Sequence, residues 1–222
     1  MNRPDLTLAD KLYMKHIPND LVGNTIINVG AGECRMDYHL NTTGYKVYST
    51  DYDDMAENAN SGYHPIFLQK IPDVSDSINY YNKCDLFDLT SFPVDNASLV
   101  ICSQMLEHQP NYKQGVLNLL ELATEFVIIT IPYERSFLMP GTPPVGHCNF
   151  WSKTGKAPFT DIKEFIELCS PYKVTFSMGI TKVKDYHNPH YPRNFVVCID
   201  KRSTEPSSGE VYDYTLEQLN WK

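Results

Sequence analysis

The sequence predicts a single α/β domain on a mostly parallel, seven-stranded sheet, with helices on both faces and an antiparallel last strand. Three observations point to it. Short runs of β-branched and aliphatic residues alternate with amphipathic stretches, the first of those runs (TIINV, 25–29) ends at a glycine, and no helix-forming segment separates the last two runs. Strands alternating with helices of this length pair in parallel through right-handed crossovers.

Taken in order, residues 5–16 carry apolar positions at helical spacing, TIINV is the first strand, and residues 33–41 read as a short helix. KVYSTD (46–51) is a second strand that closes on the acids Asp51, Asp53 and Asp54, and Asp53–Asn60 reads as a helix. The third strand is expected around Cys84–Phe87, and ASLVICS (97–103) is a buried fourth. Val116, Leu117, Leu119, Leu120 and Leu122 give segment 112–124 an amphipathic helical pattern, and EFVIITIPY (125–133) is apolar throughout, as in a strand covered on both faces. A Pro- and Gly-rich stretch over 134–158 is long enough for a substrate loop, and Ile162, Phe165, Ile166 and Cys169 mark a helix over 160–169. YKVTFSMGI (172–180) and RNFVVCIDK (193–201) are the last two strands; the twelve residues 181–192 between them hold no helix, so they should pair antiparallel.

The chain has 222 residues, 42% hydrophobic and 21% charged, the composition of an ordinary globular domain over residues 1–202 with a tail over 203–222. STEPSSGE in that tail has linker composition, while VYDYTLEQLNW could dock as a terminal helix. The formal charge is 19 − 27 = −8, which disfavours a nucleic-acid partner and fits a small-molecule acceptor better. No apolar run approaches the roughly 20 residues of a membrane helix, and charges stand where a signal peptide needs an apolar stretch, so a cytoplasmic protein without a membrane partner is expected. The six cysteines form no C-x-x-C pair and read as reduced core thiols. No segment specifies an oligomeric state.

The chemistry concentrates where the first strand ends. Asn28-Val29-Gly30-Ala31-Gly32 runs from strand into turn, and Asp51 ends the second strand 21 positions after Gly30. Glycines there let a ligand approach the backbone, and an acid at the end of strand two can accept from two ribose hydroxyls; together they predict a bound nucleoside. A ligand-free strand-to-helix turn explains the glycines alone, and a helix cap explains Asp51 alone; neither explains both. A dinucleotide site would want a further glycine where Cys34 stands, which argues against a nicotinamide-dependent reductase.

From about residue 24 to 133 these motifs resemble the class I S-adenosylmethionine-dependent methyltransferases, a Rossmann-like fold: INVGAGEC is similar to that family's glycine motif, STDYD to its ribose-binding acid, and CDLFDLTSFPVDNASLVICSQMLEHQ to its run through strand four. The resemblance implies S-adenosylmethionine as cofactor. It places Gly30, Ala31 and Gly32, with Asn28, along the methionine and ribose of the donor, Asp51 on the ribose diol, Asp85 and the Leu86 amide on adenine, and Ser103 near the transferred methyl. Asn28 replaces a common acid, Cys34 a common third glycine, and Ser98-Leu99 a common Phe-Asp.

Methyl transfer needs alignment in a dry site and, for an oxygen nucleophile, a proton acceptor. His108 and His147 are the candidate catalytic bases, and each could instead merely orient its loop. O-methylation of a small molecule is the expected activity, with aromatic walls from Tyr133, Phe150, Trp151, Tyr186 and Tyr191, and His187 and His190 on the last hairpin loop. No resident metal is expected. One alternative is a divalent-metal-assisted RNA 2′-O-methyltransferase, since Gln104, Glu107, His108 and His147 resemble the metal ligands of the RNA 3′-terminal enzymes, with Gln104 in place of a glutamate. Another is a protein that binds the donor without turnover.

Overall fold

A computed structural model describes residues 8–32, 34–52, 78–132, 147–153, 155, 159–180 and 194–215. Helix α1 (Leu8–His16) precedes β1 (Thr25–Val29), α2 (Arg35–Thr42), β2 (Lys46–Thr50), β3 (Asn79–Tyr81) and β4 (Ala97–Ser103). Then come α3 (Tyr112–Leu122), β5 (Ala123–Pro132), the short pair β6 (Trp151–Ser152) and β7 (Thr160–Asp161), α4 (Glu164–Leu168), β8 (Lys173–Ile180), β9 (Asn194–Asp200) and β10 (Val211–Thr215).

Eight strands form one sheet in the order β10-β8-β9-β5-β4-β1-β2-β3. β1 pairs in parallel with both β2 and β4, with Asn28 opposite Ser49 on one side and Ile101 on the other. Chain order therefore reverses at β1, and a crevice opens beyond the C-terminal ends of β1 and β4, the usual ligand position in such sheets. β9 runs antiparallel to β5 and β8, which bears out the expected final hairpin.

Apolar layers cover both faces. Val100, Val127, Ile129 and Val197 face α3, Trp151 and Phe165, whereas Leu99, Ile101, Ile128 and Val196 face Leu12 and Tyr13 of α1 and Met36 and Leu40 of α2. Each fully buried side chain of this size contributes about 1.5–3 kcal/mol. Lys201 closes the α3-to-β5 corner: its Nζ donates to the Leu120 and Ala123 carbonyls at 2.7 and 2.5 Å, using a cation where the helix C-terminus leaves acceptors unpaired.

Four expectations change. The third strand is Asn79–Tyr81, not Cys84–Phe87. Cys84 and Leu86 are buried, which is what made that segment read as a strand. It is held as a turn, because Asp85 Oδ1 accepts from Phe87 N at 2.9 Å and Asp85 N donates to Ser91 Oγ at 2.8 Å. The helix expected over 160–169 is shortened to Glu164–Leu168, because Thr160 and Asp161 pair with Trp151 and Ser152 and the Asp161 carboxylate takes the Lys163 amide at 2.9 Å. Part of the tail is neither linker nor helix: Val211–Thr215 adds in parallel to β8, making eight strands where seven were expected. Lys153 pairs with Asp213 at 3.0 Å and His16 packs edge-on to Tyr214, which fastens that strand. Trp151, expected as a site wall, is fully buried against Tyr112 and Phe165. The helix at Asp53–Asn60, the acids Asp53 and Asp54, and Tyr133, Tyr186, His187, His190 and Tyr191 lie outside the described residues.

Candidate donor site

The chain leaves β1 in a turn that hydrogen bonds lock to β2. Gly30 N and Ala31 N both donate to the Thr50 carbonyl, at 2.9 and 3.0 Å, and Thr50 Oγ1 donates back to Asn28 O at 3.0 Å. Gly30 and Gly32 have φ of +70° and +52°, a region that favours glycine. A Cβ on Gly30 would sit 3.4 Å from Met105 Sδ, whereas one on Gly32 would meet no atom of the described residues within 4 Å, its chain neighbours aside. Asp51 Oδ2 accepts from Gly32 N at 3.0 Å, so the two sequence signals, glycine loop and acid, are in direct contact. The Asp51 backbone is held as well, its N–H on Tyr81 O and its carbonyl on Cys84 N, both at 3.0 Å.

Two cavities adjoin at Gly30. One, of about 480 Å³, is lined by Asp51, Tyr52, Asp85, Leu86, Phe87, Met105 and His108 among others. Tyr52 is 67% and Phe87 42% exposed, flat apolar faces of the kind on which a base can stack. Asn118 of α3 fixes the far side of this cavity by donating to Leu86 O at 2.8 Å. Close approach of α3 is possible because residue 115 is glycine; a Cβ there would lie 3.1 Å from Leu86 Cδ2 and 3.2 Å from Leu106 Cδ2.

The second cavity, of about 410 Å³, is lined by Asp10, Tyr13, Asn28, Gly30, Ala31, Gly32, Cys34, Met36, Ser103 and Gln104. The Tyr13 hydroxyl meets Ser103 Oγ at 2.6 Å and Thr130 Oγ1, and burial pushes its pKa well above the usual phenol range. Gln104, at the mouth of β4, has φ of 50°, left-handed backbone in a residue with a side chain. Such a conformation costs on the order of 1 kcal/mol and is a mark of functional sites. Its amide donates to Thr130 Oγ1 at 3.4 Å.

His108 and His147 come together through backbone stitching. Cys148 N and Asn149 N donate to Glu107 O at 2.8 and 3.2 Å, and Asn149 Nδ2 donates to Leu106 O and Gln109 O at 3.0 and 2.6 Å. The two imidazoles then meet edge to face, centroids 4.6 Å apart, with Glu107 Oε1 4.0 Å from His108 Nε2. One ligand atom from each of Glu107, His108 and His147 lies within 4.8 Å of the others.

The structure thus gathers Asn28, Gly30, Ala31, Gly32 and Ser103 on one cavity and Asp51, Asp85, Leu86 and His108 on the other, with His147 against His108. Sequence reasoning missed Asp37, both of whose carboxylate oxygens lie 3.0 Å from the Asn28 Nδ2 donor. A signal was present: Met36, Asp37 and Leu40 share one helix face, so an acid stands on a buried apolar stripe. Asp10 and Tyr13, supplied by α1, had no comparable signal.

No family model matches the chain, and no curated protein matches it. Solved structures do. Magnesium protoporphyrin IX methyltransferase from Synechocystis, with bound S-adenosylmethionine, is 16% identical over 87% of this chain and 76% of its own, with a TM-score of 0.52. The methyltransferase domain of a bacterial Hen1 is 13% identical over 87% of this chain and 100% of its own, TM-score 0.56. A TehB-like methyltransferase from Corynebacterium glutamicum is 13% identical over 88% of both chains, TM-score 0.52. Among the described residues no helix is long and apolar enough to cross a membrane. With β1 at the reversal of the sheet, the glycine turn bound to Asp51 and β9 antiparallel between β5 and β8, the chain has the fold of the class I S-adenosylmethionine-dependent methyltransferases.

Proposed function

We propose that this chain is an enzyme that transfers the methyl group of S-adenosylmethionine to an oxygen of a small-molecule acceptor. The observation that carries the reading is the contact of Asp51 with Gly32 between the two cavities at the switch point of the sheet. The residues present fit the donor: an open glycine wall, a carboxylate at the end of β2, exposed aromatic faces beside Asp85, and a buried amide oxygen, Asn28 Oδ1, with no hydrogen-bond partner among the described residues. When bound, the donor supplies an activated methyl on a sulfonium.

The chain's own groups do the rest. Asp51 would bind the ribose diol, Asp85 and the Leu86 amide would hold the adenine, Gly30, Ala31 and Gly32 would line the remainder, and Ser103 would stand near the transferred methyl. His108 or His147 takes the proton from the acceptor hydroxyl. The net charge of −8 favours a small acceptor over a polyanion. Incubation with methyl-labelled donor and a panel of phenols, carboxylates and polyols tests this: label in an acceptor and loss of turnover in His108→Ala or His147→Ala are expected. Label entering only RNA or only an amine would refute it.

One observation favours a second reading. Glu107, His108 and His147 offer oxygen and nitrogen ligands within 4.8 Å of one another, a set suited to magnesium or manganese, as in metal-assisted RNA 2′-O-methylation. Against it, the Gln104 amide that would complete the set is turned to Thr130. Micromolar manganese binding lost in Glu107→Ala, together with label in the terminal ribose of an RNA, would establish this reading over the first.

A further inference from the structure

We propose that the edge strand β10 is a clasp for α1, and that Tyr214 is a positioning residue that holds this helix, with Asp10 and Tyr13, against the cavity beside Gly32. The inference rests on the donor reading above and adds a strand outside the site that sets how long the donor stays bound.

α1 has nine residues, too few for a helix to persist alone in water, so its order comes from what it packs against. It is held at two places. Near its middle Leu12, Tyr13 and Met14 are buried, and the Tyr13 hydroxyl bonds to Ser103 Oγ of β4 and Thr130 Oγ1 of β5. In its last turn Lys15 and His16 close on one ring, that of Tyr214. Lys15 Nζ stands 4.3 Å from the ring centroid, and the His16 ring packs edge-on at 5.6 Å and 76°. Tyr214 also packs against the cluster that contains Leu12, Tyr13 and Met14. Burial first and Lys15 second hold the His16 pKa down to about 4, so at neutral pH the imidazole is uncharged and Lys15 supplies the cation over the ring.

β10 is placed to come and go. It is five residues long, pairs with β8 alone among the described strands and forms the edge of the sheet. The chain reaches it from Ser207, whose hydroxyl accepts from Val174 N at 2.8 Å, through Gly209 at φ +69°. Edge segments of this kind open at lower free energy than central strands. Residues 213 and 214 point to opposite faces, Tyr214 to α1 and Asp213 to Lys153 at 3.0 Å. The Asp213 ion pair is exposed and contributes little, whereas Tyr214 joins a buried layer, so the grip is on α1.

Residues 211–215 line neither cavity, while Asp10 and Tyr13 of α1 do line one. Undocking of β10 frees the last turn of α1 and loosens that wall. Such coupling is reciprocal: a ligand that needs α1 in place tightens β10 in return.

Two measurements with S-adenosylhomocysteine test this. Hydrogen exchange of the wild-type full chain reads the coupling: at saturation the β10 amides that pair with β8 should exchange about tenfold more slowly, while those of α4 change less than about twofold. Stopped-flow dissociation reads the consequence: Tyr214→Ala should release the ligand about tenfold faster, and Tyr214→Phe, which keeps the ring, should stay within about twofold of wild type. Lys201→Met, which loosens the distant α3-to-β5 corner, controls for lost stability and should also stay within about twofold. Unchanged β10 exchange at saturation overturns the inference and leaves the donor reading standing. So does release from Tyr214→Ala at the wild-type rate, or equal acceleration in Tyr214→Ala and Lys201→Met. Folded wild-type protein that binds no S-adenosylhomocysteine overturns both. The wild-type exchange measurement decides the matter even if Tyr214→Ala does not fold.

Discussion

Gly32→Ala separates a glycine needed for the turn from a glycine needed for the ligand. Gly32 has φ of +52°, and an added Cβ would meet no atom of the described residues within 4 Å, its chain neighbours aside. Gly44, after the C-terminus of α2, matches it in both respects, with φ of +95° and nothing within 4 Å. A left-handed conformation costs an alanine about 1–2 kcal/mol, so both variants should lose about that much stability, a fall in Tm of roughly 2–8 °C for a domain of this size. Of the two, only Gly32 lines the cavity beside Asn28 and Ser103, and its Asp51 contact uses the backbone N–H that alanine retains. Gly32→Ala should therefore weaken S-adenosylhomocysteine binding by more than about tenfold, because the methyl occupies space the ligand needs, while Gly44→Ala changes it less than twofold. Calorimetric titration beside thermal unfolding reads both effects. Equal stability loss with unchanged affinity in Gly32→Ala would refute the reasoning, showing that the loop shapes the turn without touching a ligand.

Three further outcomes follow from the electrostatics. Replacing Lys201 by Met should cost about 1–3 kcal/mol in urea unfolding, because two carbonyls at the end of α3 lose a charged donor. Glu125 accepts from Val22 N and Gly23 N at 2.9 and 3.0 Å. Burial opposes its ionisation, but those two N–H groups, Ser98 and Arg202 outweigh it and hold the carboxyl below its ordinary range. Its stabilisation is thus present above the unfolded carboxylate pKa and lost as pH falls through the lower folded value, so Glu125→Gln should be about 2 kcal/mol less stable than wild type at pH 7 and converge with it at acid pH. Asp37 has the opposite sign. Its pKa rises from 3.8 unfolded to about 6 folded, so its ionisation costs nothing below 3.8 and the full penalty above about 6. That penalty is about 3 kcal/mol, and Asp37→Asn should be more stable than wild type at pH 7 by up to that amount, read by urea unfolding at pH 5 and 7.

Elements whose burial and pairing agree were legible in the sequence. TIINV and ASLVICS are strands at the residues expected, because a β-branched run buried on both faces admits little else. Burial without pairing misled at Cys84–Phe87: Cys84 and Leu86 are buried, but Asp85 and Ser91 satisfy the backbone as a turn, and the strand lies at the more polar Asn79–Tyr81. β10 was hidden because a five-residue edge strand after a Ser- and Pro-rich linker derives its order from its partner β8. The proximity of the Gly30–Gly32 turn to Asp51 was legible from their spacing and their places at the ends of two strands. The pairing of His108 with His147 was anticipated only through the resemblance to a metal-ligand set and not from spacing, since it depends on Asn149 bridging back to Leu106 and Gln109 across some 40 residues. Nor was the Asn28–Asp37 contact, which needs the α2 face to be turned toward β1.

The most direct test of the account is calorimetric titration of the full chain with S-adenosylmethionine and S-adenosylhomocysteine, repeated on Asp51→Ala. The account predicts micromolar binding of both by wild type and at least about a tenfold loss in the variant, which loses the proposed ribose-binding carboxylate and the Gly32 contact. Folded wild-type protein that binds neither ligand, or an Asp51→Ala variant that binds as tightly as wild type, would contradict it.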